Sequence, residues 1–212
     1  MLSRLDCFNN SLTSLDVSKN EKLISLQCAD NFLTTLDVSS CTNLKTLNCF
    51  NNNLTTLDVS KNTQLRIIYC FSNKLTSLDV SKNTQLVILN CQGNKFTTEA
   101  LDDIYCSLPQ RKGLMTGRIA PVTSSSSPDN SMVLATNGNN ATAKNWKVVY
   151  YANNAPITGF TGTKQCEGGS NVNMDRYITM SVTEGDSIKL DISADVAGTQ
   201  VKISSGGEEQ II

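Results

Sequence analysis

Leucine recurs through the first hundred residues with a period of 21, and each period holds two nested half-repeats of 10 and 11 residues. The first half reads L-x-x-L-x-C-x-x-N, at Leu2-Leu5-Cys7-Asn10, Leu23-Leu26-Cys28-Asn31, Leu44-Leu47-Cys49-Asn52, Leu65-Ile68-Cys70-Asn73 and Leu86-Leu89-Cys91-Asn94. The second half reads L-T-x-L-D-V-S-x-N and begins at Leu12, Leu33, Leu54 and Leu75, with Val in place of Cys; Phe96 opens a fifth and then departs from the pattern. Apolar positions 4 and 6 alternate with polar ones, the period of a short strand. A single coil of this kind cannot bury its own leucines, so coils must stack and share one core. At about 4.8 Å per coil the stack is roughly 25 Å long.

The pattern assigns work to two unusual residue types. The chain has 23 asparagines and eight cysteines. Asparagine after each strand turns the chain and can bond exposed backbone groups of the bend. Asn10, Asn31, Asn52, Asn73 and Asn94 stack as one ladder, and Asn20, Asn62 and Asn83 as another. Cys7, Cys28, Cys49, Cys70 and Cys91 occupy a position that asks for a small buried apolar residue, which free cysteine supplies. Cys41 stands at the asparagine position of Leu33-Leu36-Val38-Cys41.

This repeat resembles the leucine-rich repeat, L-x-x-L-x-L-x-x-N/C-x-L, across residues 2–96. The nested form with L-D-V-S is similar to leucine-rich repeats of bacterial surface proteins and distantly to internalins. The resemblance implies a mainly β, right-handed solenoid of about 4.5 units, a protein-binding role, and a place on the cell surface or outside the cell.

Three regions follow: repeats over 1–96, a flanking cap over 97–170 and a small β module over 171–212. In the flank, Thr97 or Thr98 can cap a helix running to about Leu108, with an apolar stripe of Leu101, Ile104, Tyr105 and Leu108 and a stop at Pro109. Residues 114–123 read as a strand, Ser124 to Asn130 as a flexible loop, and 141–150 as a helical turn into a strand with Trp146 under it. The helix end at Leu108-Pro109 and the Ala-Thr-Ala-Lys-Asn-Trp segment look like the C-terminal flank of the same surface family. In the last region Tyr177 to Val182, Ile188 to Ile192 and Val201 to Ile203 read as three short strands. Met1 enters in mid-coil without a cap and the chain closes on SSGGEEQII, so a piece of a longer protein is expected.

Composition then narrows the chemistry. Absence of histidine removes Ser-His-Asp and Cys-His catalysis and His-ligated metal. A net charge of -1 argues against nucleic acid. The longest apolar run is five residues, Ile67 to Phe71, so membrane insertion is not expected, and no secretion signal is visible. No C-x-x-C occurs, and neither metal nor cofactor is called for. Cys106 and Cys166 belong to no ladder; they are either two more buried thiols or a disulfide joining the cap to the following loop.

Asp16, Asp37, Asp58 and Asp79 stack at the same 21-residue spacing. Paired carboxylates can hydrolyse glycosides or hold Ca²⁺. An active site needs differentiated groups, however, and these are identical in every unit, so a solvated structural ladder is expected rather than an enzyme. Ser124 to Ser127 has no base to activate it, and Gly168-Gly169 is in no phosphate-loop pattern.

What varies between coils is more informative. At outward positions 3, 5 and 7 the second half is monotonous, whereas the first half carries Arg4, Ser25, Thr46, Ile67, Ile88; then Asp6, Gln27, Asn48, Tyr69, Asn90; then Phe8, Ala29, Phe50, Phe71, Gln92. Phe50 and Phe71 should be neighbours beside Tyr69, Ile67 and Ile88, with Phe8 further along. Aromatic and aliphatic groups on a polar sheet mark a binding patch. A protein ligand is expected there. A spacer that self-associates through this face and a carbohydrate-binding surface are the alternatives.

Overall fold

The computed structural model describes residues 2–113, 116–166, 202–205 and 208–211, and separates into two compact units, Met1–Glu167 and Gly168–Ile212. In the first unit five three-residue strands come from the first half of each coil: β1 (Arg4–Asp6), β2 (Ser25–Gln27), β3 (Thr46–Asn48), β4 (Ile67–Tyr69) and β5 (Ile88–Asn90). All pair in parallel with a 21-residue offset, Leu5 with Leu26, Leu26 with Leu47, Leu47 with Ile68 and Ile68 with Leu89. The middle residue of β2 to β5 is fully buried and its two neighbours mostly half-buried, the alternation of a sheet with one face in the core. The sheet does not stop with the repeat. β6 (Gly117–Val122) pairs with β5, and β7 (Trp146–Tyr150) with β6, giving seven parallel strands in chain order. This is a β solenoid whose flank extends the same sheet.

The core is one cluster running from Val17 through the coil leucines to Trp146 and Ile157. Leu23, Leu33, Leu44, Leu54, Leu65, Leu75 and Leu86 are fully buried, each contributing about 1.5–3 kcal/mol of transfer free energy. Leu2 and Phe8 of the first coil are exposed.

Each coil turns at a left-handed residue, and it is the residue before the ladder asparagine. Asn9, Asp30, Asn51, Ser72 and Gly93 have φ between 51° and 65°. Asn, Asp and Gly tolerate that region best. The ladder asparagines themselves bond across coils. The Asn73 amide nitrogen donates to the carbonyls of Cys70 (3.1 Å) and Phe71 (3.3 Å) in its own coil and of Cys49 (3.0 Å) in the one before. Its Oδ1 accepts from the Leu54 N–H at 3.0 Å. Asn31 and Asn52 repeat the scheme bond for bond. Asn94 reaches two carbonyls and accepts from Leu75, and Asn10 bonds only within its own coil. In the second ladder the Asn62 amide donates to Val38 and Cys41, and Asn83 to Val59 and Asn62, all at 2.9 Å. Cys41 takes the same place with its thiol 3.7 Å from the carbonyls of Val17 and Asn20, a weak donor where the neighbours use an amide.

The cap helix α1 (Thr98–Ser107) starts at Thr97, whose hydroxyl accepts from Ala100 N–H at 3.1 Å. Leu101, Ile104, Tyr105 and Leu108 are buried. Lys144 Nζ donates to the Tyr105 and Cys106 carbonyls near the helix end, a cation where the helix dipole favours one. Short helices α2 (Asn130–Leu134) and α3 (Asn139–Thr142) lie between β6 and β7. Instead of an unstructured loop, Ser124 to Ser127 is a turn knit by its own hydroxyls. Trp146 is 1% exposed and its indole N–H donates to the Pro109 carbonyl at 2.8 Å. A Cβ on Gly117 would come within 2.4 Å of that ring, so β6 begins with the one residue that lets the indole lie flat. Cys106 and Cys166 form a disulfide across a sequence separation of 60, tying the end of α1 to the chain beyond the last strand of this unit.

In the second unit β8 (Lys202–Ser205) and β9 (Glu208–Ile211) form an antiparallel hairpin. The expected run at Val201 to Ile203 overlaps β8, and its partner β9 lies in the closing residues. The expected strands at Tyr177 to Val182 and Ile188 to Ile192 lie outside the described residues, as do Leu114 and Met115 of the run at 114–123.

Replacing Asn73 with Ala leaves one N–H and several carbonyls without their partner in a buried place. We expect a loss of roughly 2–4 kcal/mol in urea unfolding. Asn10→Ala, at the exposed first coil, should cost less than about 1 kcal/mol by the same reasoning. Equal costs at the two positions would refute the role given to the cross-coil bonds.

Candidate functional site

Three places in the first unit carry side chains with chemistry: the cysteine ladder, the aspartate ladder and the variable strand face. The cysteines are interior. Cys28, Cys41, Cys49, Cys70 and Cys91 are buried and unbonded, while Cys7 in the end coil is half-buried. Burial pushes the Cys28 and Cys91 thiols up to about 12, and Cys49 and Cys70 well above their ordinary value. A thiol that does not ionise is neither nucleophile nor metal ligand. Among the described residues no group of three or more His, Cys, Asp or Glu could hold a metal ion.

The aspartates are turn formers. Asp16, Asp37, Asp58 and Asp79 each accept from the backbone N–H two residues on, Ser18, Ser39, Ser60 and Ser81, at 2.8 to 2.9 Å. The backbone amide is the main donor because an Asx turn brings it within reach, and the serine hydroxyl adds to it. Those bonds hold Asp16, Asp37 and Asp58 below the ordinary carboxylate value. Shallow grooves of about 330 and 250 Å³ run between these coils, lined by Asp37, Asp58 and Lys61 and by Asp58 and Asp79. Every carboxylate in them is already engaged with its own backbone.

The strand face brings its expected members together. Phe50 and Phe71 stack with ring centroids 4.3 Å apart and planes within 7°, an arrangement worth about 0.5–1.5 kcal/mol beyond burial. Ile67 and Ile88 stand side by side in register, and Tyr69 is flanked by Asn48 and Asn90; these five residues are half-buried except Asn90, which is buried. Phe8 stands apart in the first coil, 55% exposed, with Ala29 between it and Phe50 in the row. Position 7 is not outward throughout. Ala29 and Gln92 are buried, because a small or unstacked side chain in that row is covered by its larger neighbours.

The flank adds residues that the repeat could not announce. Tyr151, just after β7, lies 5.3 Å from Phe71 at a 40° tilt and is 39% exposed. Arg118 in β6 stands in register beside Ile88. Its guanidinium donates to Asn90 Oδ1 at 2.9 Å and to Asn154 Oδ1. Further along, the Asn48 amide donates to Gln27 Oε1 at 2.8 Å. The face is thus an aromatic and aliphatic patch framed by amides, one pair of which, Asn48 and Gln27, is bonded together while Asn90 and Asn154 hold Arg118. Only the outward alternation of 117–123 could have placed Arg118, and nothing in the sequence placed Tyr151.

Among solved structures, the functional domain of InlJ from Listeria monocytogenes, described as including a cysteine ladder, is 30% identical to this chain with a TM-score of 0.55; the match covers 74% of this chain and 32% of that one. The chain is an internalin-like leucine-rich-repeat protein. A leucine-rich-repeat protein of Leptospira interrogans matches at 23% identity and TM-score 0.48 over 52% of this chain and 30% of that one, and the internalin InlF of L. monocytogenes at 25% and 0.42 over 49% and 32%. The internalin-like chain spans about a third of the length of these structures. No protein-family model and no curated protein matches it.

Two measurements check the ladders. A thiol reagent at pH 8 should label Cys7 in the folded protein and six thiols after unfolding; rapid labelling of Cys49 or Cys70 in the native state would contradict their burial. For the aspartates the folded value lies below the unfolded one, so their stabilisation is full above the unfolded value and is lost as pH falls through the folded one. Carboxyl titration by NMR should place the Asp16, Asp37 and Asp58 midpoints below that of an unfolded aspartate, and a midpoint at or above it would refute the turn bond.

Proposed function

We propose that this chain is a non-catalytic recognition module that binds a protein ligand through the strand face around Phe50, Ile67, Tyr69, Phe71 and Ile88, extended by Tyr151. The observation that carries this reading is the half-exposed Phe50–Phe71 stack with Tyr151 against it, beside Ile67 and Ile88 and bordered by amides and Arg118. Such clusters concentrate binding energy when a partner desolvates them. The internalin-like build supports an interaction or adhesion module in general. Identical aspartates, each committed to its own turn, supply no acid and base in different roles. A surface or secreted location is supported by the same likeness and by the Cys106–Cys166 disulfide, which persists in oxidising surroundings. No helix among the described residues is long and apolar enough to cross a membrane.

A displayed peptide library selected on the folded chain tests this. Binders should lose about tenfold or more in affinity, about 1.4 kcal/mol, when Phe71 is replaced by Ser. Thiol protection of Cys70 reports that the variant still folds. If Phe71→Ser instead splits a dimer in sedimentation, the face is a self-association surface and the spacer reading replaces this one. Binding on a glycan array that Phe71→Ser abolishes, with no peptide binders, would favour carbohydrate.

A further inference from the structure

The internalin-like chain is nearly neutral as a whole, and its second half-repeats carry both signs, Asp58 with Lys61 and Asp79 with Lys82; from the third coil onward the strand-bearing halves, unlike those of the first two coils with Asp6 and Asp30, carry only cations. In the strand-bearing halves of coils three to five, and in the flank strands that extend them (44–53, 65–74, 86–95, 117–123 and 146–160), the charged residues are Lys45, Arg66, Lys74, Lys95, Arg118 and Lys147. No Asp or Glu occurs in these segments. The carboxylates of the same coils, Asp58 and Asp79, stand in the other half, and Glu99, Asp102 and Asp103 in α1. Lys45 and Arg66 immediately precede β3 and β4; Lys74 and Lys95 follow β4 and β5 by five residues. All four are exposed, as is Lys147 in β7. They therefore form cationic rows before and after the strands that carry Phe50, Tyr69, Phe71 and Ile88. Arg118 is fixed inside the face by Asn90 and Asn154, and the two ion pairs among the described residues, both of Lys164, do not involve it.

Resting on the recognition reading above, we infer that the ligand of this face is an acidic protein segment that presents an apolar side chain to the Phe50–Phe71–Tyr151 cluster and carboxylates to the surrounding lysines and arginines. The charge is of one sign on a face whose centre is apolar, so a neutral or basic segment would leave the cations unmatched and a partner lacking an apolar anchor would leave the cluster wet. The ring geometry separates this partner from other polyanions. Bases of single-stranded nucleic acid bind on open ring faces. Here Phe50 and Phe71 cover each other, Tyr151 leans on Phe71, and the buried Ala29 precedes Phe50 in the row. Mutual stacking takes one face each of Phe50 and Phe71 out of reach, and Tyr151 tilted against Phe71 leaves a cluster suited to a side chain seated on it.

The test uses the whole chain and the peptide library already described, with two charge variants: Lys45→Glu/Arg66→Glu/Lys74→Glu on the strand face, and Lys61→Glu/Lys82→Glu on the opposite half as control. Selected peptides should be enriched in Asp and Glu around an aromatic or aliphatic residue. Their affinity should fall about tenfold or more in the strand-face variant, change less than about twofold in the control, and weaken as sodium chloride rises from about 50 to about 300 mM. Peptides that need Phe71 but carry no acidic bias, or that ignore the strand-face reversal, overturn the acidic ligand while leaving the recognition reading intact. Absence of any Phe71-dependent binder overturns both. Tighter binding of a fluorescent oligo-dT or of heparin than of the acidic peptides, lost in the strand-face variant, overturns this inference in favour of a non-protein polyanion.

Discussion

One buried carboxamide bonding two coils at once is the interaction on which this solenoid depends. Strands of three residues satisfy few backbone groups, and the loops that join them run past the core, where water cannot serve. Each unpaired carbonyl or N–H there would cost on the order of 1–3 kcal/mol. The asparagine side chain solves this at a fixed point in every coil. At Asn31, Asn52 and Asn73 it bonds three carbonyls and one N–H across two coils. The bond requires a 21-residue offset between coils, so it sets register as well as stability. Asn10, which bonds only carbonyls of its own coil, lies exposed.

With that scaffold in place, the two half-repeats take different work. The second half spends its side chains on turns, asparagine and Cys41 inward and aspartate onto its own backbone, and so stays the same from coil to coil. The first half puts leucine and cysteine inward and leaves positions 3 and 5, and the large members of position 7, free to vary. The cysteine ladder is compatible with an oxidising environment because its thiols are buried and stay protonated. The disulfide is a separate device, used in the flank, where no ladder holds the chain.

Charge follows the same division. A net charge of -1 hides strand-bearing halves with only cations from the third coil onward and second halves in which Asp58 and Asp79 are each followed by a lysine, Lys61 and Lys82. The sum argues against nucleic acid, while the position of each cation in the coil gives an acidic protein segment a place to sit. Arg118 stands in register with the face that carries the aromatic cluster, and the cationic rows lie before and after its strands, because the coil stacks like positions on like.

The repeat by itself determined the coils, their parallel stacking, the asparagine ladders through Asn73 and Asn83, the interior cysteines and the adjacency of Phe50 and Phe71. All of these follow from local periodicity, since a side chain's place in one coil dictates its neighbour 21 residues away. Even within the repeat some details needed coordinates. The left-handed turn falls on Asn9 and its counterparts, one residue before the ladder, and Ala29 and Gln92 are covered because of the size of what stands beside them. Only the tertiary structure decided that β6 and β7 continue the sheet, that Tyr151 returns to Phe71, that Asn90 and Asn154 hold Arg118, and that Cys106 meets Cys166. Those contacts join segments outside the repeat to segments within it, or to each other, and no period relates them; they are set by how the flank packs against the last coil.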